Sequence, residues 1–383
     1  MHILIAPNAF KNCLTAAEVA DAIHDGLKES NLQFAAECFP IGDGGDGTGE
    51  LITNKRNGTF NACYVSDPVG RKIKASFGLI DKGTTAVIEM ADASGLRLLE
   101  KHELNPLKAS SIGTGELMMR ALDSGVKKIV VGVGGTATVD GGCGILKALG
   151  IRFLNEEQKE LSAMPDSLHD LHSIDVSGLD ERLLDCEVVV LCDVDNKLVG
   201  EEGAATIFGP QKGASQSDVE KLEMALTTFA TVAFEQTGKD LSLLKSGGAA
   251  GGTAAGLYAF LNAKLVNGID YFLELTDFDN ALQKAAVVIT GEGGIDEQTL
   301  NGKGPFGVAS RAKRKGIPVI GLAGKVPIKT SETMRQYFDV LLSIGHEPSD
   351  LDSAMTCTFE NLKRTAKELG NLVSLRTNCK TER

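Results

Sequence analysis

Hydrophobic and polar positions along the chain alternate between short apolar runs and longer stretches with helical periodicity. The apolar runs, rich in β-branched residues, predict buried strands over about 2–6, 34–41, 128–133, 188–191, 285–290, 317–322 and 338–343. Apolar residues at helical spacing predict helices over about 15–29, 106–124, 217–235, 305–315 and 355–369. Strands that alternate with helices are typical of an α/β protein with parallel sheets.

Three segments, 60–66, 72–80 and 84–90, have a different pattern, in which apolar and polar residues alternate. This alternation predicts strands paired with one another rather than βα units. Further along, a glycine-dense segment at 246–256 precedes an apolar helix that we expect to continue through Val266. The last dozen residues are expected to be frayed.

The order of these elements predicts a discontinuous domain. Residues 1–61 and 282–383 are expected to form a flavodoxin- or Rossmann-like α/β domain whose parallel strands follow the order 2-1-3-4-5. Residues 62–281 are then a second α/β domain inserted into the first. Because parallel sheets bind ligands at the carboxyl ends of their strands, we expect the active site in the cleft between the two domains.

Composition and charge narrow the class of protein. The 383 residues include 44 Gly and no Trp, which suits an α/β enzyme with a small-molecule substrate. The formal charge of −12 argues against a nucleic-acid partner, because proteins that bind nucleic acid carry basic surfaces. No C-x-x-C pair, export signal or long apolar stretch is visible. We therefore expect reduced cysteines, a cytoplasmic location and no membrane partner, and the sequence leaves a homodimer open.

Polar residues follow the buried run at 188–191. Asp193 and Asn196 come directly after it, and Lys212 lies in the glycine-rich loop beyond. Carboxylates near a lysine and glycines, at the end of a buried strand, suggest phosphoryl transfer. A strand edge, a turn and a solvated lysine explain the same residues equally well, so this segment alone leaves both interpretations open.

Lys11, Asp43 and Asp46 follow the first two predicted strands. Lys11 lies between a strand end and a helix start, where unpaired N–H groups favour anions, although an exposed loop lysine is the simpler interpretation. The two aspartates lie among glycines and are suited to a hydrated Mg²⁺ or a substrate hydroxyl. An ordinary Asp-Gly turn is the alternative.

Glycine-rich loops follow other strands. Residues 132–137 fit the relaxed dinucleotide fingerprint G-x-G-x-x-A, but further glycines delay the helix that this fingerprint requires. The loop at 246–256 either cradles phosphate or lets two backbones pack closely. Glu292, Asp296 and Lys303 follow the strand predicted over 285–290, and the chain contains no complete P-loop motif.

Six segments, in chain order, resemble the signature blocks of the bacterial class I glycerate kinase family, the glycerate 2-kinases. They are IAPNAFKNCLTAAE, DGGDGT, GVGGTATVDGG, CDVDN with GAATIFGPQKGAS, SGGAAGG and ITGEGGIDEQTLNGKGP. The resemblance covers almost the whole chain. It implies a two-domain α/β enzyme that uses Mg²⁺ and transfers the γ-phosphoryl group of ATP to D-glycerate, giving 2-phosphoglycerate and ADP.

Some residues differ from the family pattern. The differences are Asn8 and Ala9 for Asp-Ser, Asp46 for Glu, Val139 for Asn, Lys197 for Pro, and Gly294 for Arg. The last difference matters most, because an arginine binds carboxylate or phosphate through two N–H groups and a glycine cannot. Either another basic residue substitutes for this arginine, or substrate choice or rate differs in this protein.

The resemblance and the requirements of phosphoryl transfer give candidate roles. The catalytic candidates are Asp193, which orients or deprotonates the glycerate hydroxyl, Lys11 and Asp46; the substrate-binding candidates are Asp43, Asn196, Lys212 and Thr114. The ATP-binding candidates are Gly134, Gly135, Gly247, Gly248, Gly251, Glu292 and Lys303, and the Mg²⁺ candidate is Asp296.

Two other functions remain open at this point. An NAD(P)-dependent dehydrogenase would use the loop at 132–137 and would leave most of the other loops without a role. A catalytically silent sugar-acid-binding relative is suggested by Gly294 and Asn8. The kinase is the interpretation that uses all six loops.

Overall fold

In the computed structural model, which describes residues 1–162 and 164–378, strands and helices alternate as the sequence predicts. The strands are β1 (His2–Ile5), β2 (Ala35–Cys38), β3 (Thr59–Ser66), β4 (Lys72–Ile80), β5 (Thr85–Glu89), β6 (Lys128–Gly132), β7 (Arg152–Leu154), β8 (Ser173–Asp175), β9 (Glu187–Cys192), β10 (Lys264–Asn267), β11 (Val287–Gly294), β12 (Val319–Lys325) and β13 (Val340–Ser343).

The α-helices are α1 (Ala16–Lys28), α2 (Thr48–Lys55), α3 (Ala91–Ser94), α4 (Ile112–Asp123), α5 (Cys143–Ala148), α6 (Ala204–Phe208), α7 (Gln216–Thr237), α8 (Thr253–Leu261), α9 (Gly268–Leu275), α10 (Phe278–Gln283), α11 (Gly304–Arg314), α12 (Glu332–Tyr337), α13 (Leu351–Thr356) and α14 (Thr358–Asn378). Short 3₁₀ helices cover Asp81–Gly83, Leu96–Leu98, Lys101–Glu103, Asp166–Asp170, Glu181–Asp185, Pro210–Lys212 and Glu297–Asn301.

The chain divides into two units, each with its own sheet. The first unit comprises Met1–Asp43 and Ile269–Arg383, and the second comprises Gly44–Gly268. This division confirms a discontinuous α/β domain with a second α/β domain inserted into it. The observed boundaries, however, lie earlier than the predicted ones at 61/62 and 281/282. The reason is that α2 packs on β4 and β5 of the second unit, whereas α10 packs in the first through Phe278, whose ring meets Phe39 edge-on.

The sheet of the first unit is parallel, with the strand order β13-β12-β11-β1-β2. Numbered within this unit, that order is 2-1-3-4-5, as predicted. Helix α1 starts at a capping box, in which Thr15 accepts from the Glu18 N–H and Glu18 accepts from the Thr15 N–H. Its apolar face, including Val19 and Ile23, is fully buried in the core of this unit.

The second unit contains a mixed six-stranded sheet with the order β10-β9-β6-β5-β4-β3. Strands β5, β6, β9 and β10 are parallel, and β4 pairs antiparallel with β3 on one side and with β5 on the other. The alternating segments predicted as paired strands are thereby confirmed. Strands β5, β6 and β9 are buried on both faces, which accounts for their continuous apolar sequences.

Two predicted elements are wrong. Helix α8 ends at Leu261, where Asn262 adopts a left-handed φ of 52°, and the residues up to Val266 belong to strand β10 rather than to the helix. Helix α14 continues to Asn378, so the first part of the predicted frayed end is helical, and the rest of that segment lies outside the described residues. Across residues 1–162 and 164–378, no helix combines the length and apolarity needed to cross a membrane.

Candidate active site

The first unit gathers polar side chains where β1, β2 and β11 end. Asn8 follows β1, and its Nδ2 donates to Asp43 Oδ2 at 2.8 Å. Asp43 Oδ2 also accepts from the N–H of Gly304, at the start of α11, at 3.3 Å. Both Asn8 and Asp43 are more than nine-tenths buried. Sequence analysis identified Asp43 but gave Asn8 no role in binding or catalysis.

Glu292, near the end of β11, lies in the same cluster. Its Oε1 accepts from the Thr299 hydroxyl at 2.9 Å. Burial raises the pKa of Glu292 to about 7, the positive charges of Lys303 and Lys11 oppose that rise, and the negative charge of Asp43 adds to it. The sequence-predicted residues Lys11, Asp43 and Lys303 are therefore each close enough to Glu292 in the first unit to act on it electrostatically.

Asp296, the predicted Mg²⁺ ligand, is exposed and caps a short helix. Its Oδ1 accepts from the Gln298 N–H at 2.9 Å at the start of the 3₁₀ helix that follows β11. In the two described ranges of the chain, no three His, Cys, Asp or Glu side chains form a ready-made metal site. Mg²⁺ commonly binds one or two carboxylates together with substrate phosphates, so a preformed cage is not required.

In the second unit, the loop before α2 lies across the carboxyl ends of β6 and β9. The Gly134 N–H donates to Gly44 O at 3.0 Å. A Cβ atom on Gly44 would lie 2.7 Å from the Leu191 carbonyl oxygen, so this close approach requires glycine. Asp46 is exposed in the same loop beside Gly135, where an added Cβ would lie 2.0 Å from Asp46 Oδ1.

Glu89, the last residue of β5, is a buried carboxylate that sequence analysis missed. Only 8% of it is exposed, and its Oε2 accepts from the Gly47 N–H at 2.9 Å. Burial raises its pKa to about 7; the Gly47 hydrogen bond opposes the rise, and Asp92 adds to it. The sequence does contain a signal for Glu89, because it is an acidic residue at the end of an apolar strand, the same pattern that predicted Asp193.

Asp193 directly follows β9 and is half-buried. Burial, with the charges of Asp193 and Asp195, raises the pKa of the Cys192 thiol to about 12. Asn196 points its amide inward along the same loop, and its Nδ2 donates to the Glu202 carbonyl oxygen at 2.9 Å. The backbone of Asn196 is also engaged, because its carbonyl accepts from the Gly248 N–H at 2.9 Å.

Lys212 is a buried lysine at the end of the loop beyond α6, with 3% exposure. Its Nζ donates to Thr136 Oγ1 at 3.0 Å and to the Thr138 carbonyl oxygen at 2.7 Å. Burial lowers its pKa to about 7, and the negative charge of Asp140 opposes this shift. An amine with this pKa can be protonated or neutral near neutral pH, which suits proton transfer as well as charge neutralisation.

A buried polar network surrounds that lysine, and sequence analysis assigned only part of it. Asp140 is fully buried and accepts from the Ser111 N–H at 2.9 Å and from the Ser111 hydroxyl at 2.7 Å. Thr114, predicted to bind substrate, is also fully buried, and its hydroxyl lies 2.7 Å from Ser94 Oγ. Asp140 and Ser111 have no distinguishing spacing in the sequence.

Close packing accounts for the glycines of the loop before α8. The N–H groups of Gly247 and Gly248 donate to Leu244 O and Asn196 O, so they are not directed at a ligand. A Cβ on Gly248 would lie 2.2 Å from the Lys197 carbonyl oxygen, and one on Gly251 would lie 2.1 Å from that of Thr138. The N–H groups of Gly247 and Gly248 are therefore already bonded within the protein and do not support the predicted role of these glycines in ATP binding.

The dinucleotide fingerprint at 132–137 also lacks its structural context. The Gly134 N–H is bonded to Gly44 O, and the next helix, α5, begins only at Cys143. A dinucleotide site would need the helix to open at the fingerprint itself, with its N-terminus toward the pyrophosphate. The fold and the acidic and basic residues at the strand ends favour instead an α/β enzyme of the kinase class.

Comparison with known proteins identifies the family within that class. Residues 3–374 match the model of the glycerate kinase family. The chain is 42% identical to glycerate kinase of Bacillus subtilis strain 168 and 40% identical to glycerate 2-kinase of Escherichia coli K12, covering 98% of each chain in both comparisons. A crystal structure of a protein assigned as glycerate kinase 2 from Salmonella typhimurium LT2 aligns over 99% of both chains with a TM-score of 0.82 at 40% identity. The chain belongs to the glycerate kinase family.

Proposed function

We propose that this protein is an ATP-dependent glycerate kinase that phosphorylates D-glycerate to 2-phosphoglycerate and releases ADP. The observation that carries the proposal is the match to the glycerate kinase family over residues 3–374. Membership of a kinase family implies ATP as the phosphoryl donor. The D stereochemistry, the 2-phosphate product and a requirement for Mg²⁺ belong to the proposal.

Phosphoryl transfer needs positioned groups and neutralised charge more than covalent chemistry from the protein. Asp193 orients the glycerate hydroxyl and accepts its proton as the bond to phosphorus forms. Lys11 and Lys303 neutralise negative charge on phosphate or carboxylate groups, and the influence of both lysines on the pKa of Glu292 supports a common role. That the residues of both units serve one reaction remains a prediction.

The residues of the first unit fit a hydrated Mg²⁺ bound with the phosphates of ATP. Asp43 and Glu292 are hard oxygen donors in one cluster. Burial raises the pKa of Glu292 and the charge of Asp43 adds to the rise, so a bound cation would favour the ionised form of Glu292. These two carboxylates, with exposed Asp296, would hold the ion. Bound Mg²⁺ would supply charge neutralisation on the transferring phosphoryl group.

Lys325 is the best candidate to replace the arginine that the family pattern has at Gly294. In the register of β11 and β12, Gly294 is the partner of Lys325, and a Cβ on Gly294 would lie 3.9 Å from the Lys325 Cβ. The Lys325 side chain is exposed and positively charged. A lysine offers a point charge rather than a planar fork, so it would retain anion binding with less geometric selectivity.

The test is an ADP-release assay with D-glycerate, with L-glycerate and without acceptor, with and without Mg²⁺, followed by ³¹P NMR of the product. Asp193→Asn should lower kcat by about 10²–10⁴-fold, the range for loss of a general base, while circular dichroism stays unchanged. Asp195→Asn is the matched control: Asp195 is exposed, two residues further on, and pairs with Lys245 at 3.1 Å. It should retain near-normal activity.

Each result has a defined meaning. Acceptor-dependent ADP with a 2-phosphoglycerate signal would establish the activity. Near-normal turnover in Asp193→Asn would remove this carboxylate from the mechanism. Glycerate binding without turnover in the wild type would favour the silent sugar-acid-binding alternative. The cytoplasmic location remains a prediction.

A further inference from the structure

Strand β3 forms one edge of the sheet of the second unit, and its outer side pairs with no strand among residues 1–162 and 164–378. Edge strands usually carry charges or prolines that prevent pairing with another chain. The β3 sequence TFNACYVS contains neither, although the whole chain has a formal charge of −12. The strand at the opposite edge, β10, does carry a charge, Lys264.

The hydrogen bonds of the β3–β4 hairpin show which backbone groups of β3 point outward. The Asp67 N–H donates to Arg71 O, and the register continues without a bulge to Thr59 opposite Leu79. Because bonded and non-bonded pairs alternate in an antiparallel ladder, odd-numbered residues of β3 bond to β4. The N–H and C=O groups of Phe60, Ala62 and Tyr64 therefore point away from the sheet.

Side chains of the same residues are exposed on one face. Phe60 is 48% exposed and Tyr64 is 71% exposed, with the small residue Ala62 between them. The aromatic residues lie symmetrically on either side of Ala62, two positions away. A strand with this arrangement complements a second copy of itself, since an antiparallel pairing centred on Ala62 places each Phe60 opposite the other copy's Tyr64.

We propose that the β3 edge is the dimer interface of this protein, where two copies pair antiparallel about a two-fold axis at Ala62 and continue the sheet across both molecules. The outward backbone groups of Phe60, Ala62 and Tyr64 then satisfy those of the second copy, and two aromatic cross-strand pairs flank the axis. Ser66 limits the register, because its N–H already donates to Glu116. Pairing that needed Ser66 would lose that bond.

The symmetric placement of exposed Phe60 and Tyr64 about Ala62 favours a second copy as the occupant, and the lack of charge in β3 permits it. Two identical strands that carried like charges would repel each other across a two-fold axis, whereas β3 carries none. The face beside the edge is also open: Phe60 lines a cavity of about 330 Å³, and Ala62 lines an adjoining one of about 390 Å³.

The first test is sedimentation velocity of the full chain at micromolar concentration. We expect the wild type to be a dimer and Ala62→Lys to raise the dimer dissociation constant on the order of tenfold or more, because the axis brings the two lysines together. Asn61→Lys is the matched control, since it adds the same charge to the opposite face of the strand, where the pairing places Asn61 opposite Cys63 of the second copy rather than opposite itself. It should raise the constant much less.

The second test is disulfide crosslinking of Ala62→Cys in a Cys63→Ser background. The proposed axis brings the two Cα atoms to about 5.5 Å, the spacing of a hydrogen-bonded antiparallel pair, which is within the range for a disulfide. We expect a crosslinked dimer under mild oxidation, and none from the Cys63→Ser parent. A monomeric wild type, a dimer unaffected by Ala62→Lys, or no crosslink from a dimeric Ala62→Cys variant would each overturn the proposal.

Discussion

Replacing Asp140 with alanine should destabilise the second unit strongly without touching an exposed surface. The carboxylate is fully buried and holds together the start of α4 and the start of α5. Oδ2 accepts from the Ser111 N–H, the Ser111 hydroxyl and the Gly144 N–H, while Oδ1 accepts from the Gly142 N–H at 3.1 Å. It also supplies the negative charge that favours protonated Lys212.

The expected loss of stability follows from the hydrogen-bond donors that Asp140→Ala would leave without an acceptor. Of four donors, the Ser111 hydroxyl can rotate to another acceptor, but three backbone N–H groups cannot. Each buried donor left unpaired costs about 1–3 kcal/mol, and water that enters the space recovers part of that cost. The substitution would also remove the negative charge that favours protonated Lys212, which adds to the cost. We therefore expect Asp140→Ala to lower the free energy of unfolding by about 4 kcal/mol.

Urea unfolding followed by far-UV circular dichroism measures this loss, because the chain has no Trp for a fluorescence signal. Asp218→Ala is the matched control. Asp218 likewise accepts from a serine N–H and hydroxyl, those of Ser215, at 3.0 and 2.6 Å, but these bonds lie at the exposed surface and Asp218 is only half-buried. A loss from Asp140→Ala no greater than that from Asp218→Ala would refute the reasoning, since burial would then carry no extra cost.

Two further predictions concern pH and close packing. Glu89 has its pKa raised by burial from 4.5 to about 7, so the folded state binds this proton more tightly than the unfolded state. The stabilisation is fully present below about pH 4.5 and is lost as the pH rises through about 7. Over that window the unfolding free energy of the wild type should fall by about 3 kcal/mol more than that of Glu89→Gln. Urea titrations in which the two proteins show the same pH dependence would contradict this. Gly248→Ala should cost about 2 kcal/mol in the same assay, because its Cβ would lie 2.2 Å from the Lys197 carbonyl oxygen. Gly293→Ala is the control, because no atom lies within 4 Å of its new Cβ, and it should change stability by less than about 0.5 kcal/mol. Equal losses from Gly248→Ala and Gly293→Ala would show that the contact with the Lys197 carbonyl is not what excludes a side chain at position 248.

Most of the strands, and their order in the first unit, were predictable from the sequence because buried parallel strands are local, continuous apolar runs. The short strands β7 and β8 were not predicted. The helix predicted through Val266 was wrong for a related reason. Its apolar residues pack equally well in a helix or a buried strand, and the left-handed turn at Asn262 has only a weak sequence signal. Domain boundaries were misplaced because they depend on where α2 and α10 pack, which is a tertiary property.

Some candidate site residues could also be predicted from local sequence, and others depend on tertiary structure. Asp43 and Asp193 were predictable because they follow strands, and the fold places them at strand ends. The burial of Lys212 was not predictable, since it depends on Thr136 and Thr138, which are 76 and 74 positions away in the chain. Glu89 could have been identified by the strand-end rule, but its segment was interpreted only as a paired strand.

Gly248 and Gly251 lie so close to neighbouring carbonyl groups that no other residue fits there without moving the backbone. The pressure that preserves such glycines during evolution is therefore steric and acts whether or not the protein is a working catalyst. A position without such contacts, such as Gly294, whose added Cβ would lie no closer than 3.9 Å to the Lys325 Cβ, is free to change first when a gene copy acquires a new role. Among diverging relatives, the glycine blocks should trace common ancestry, and the polar residues at the strand ends should record what each descendant does.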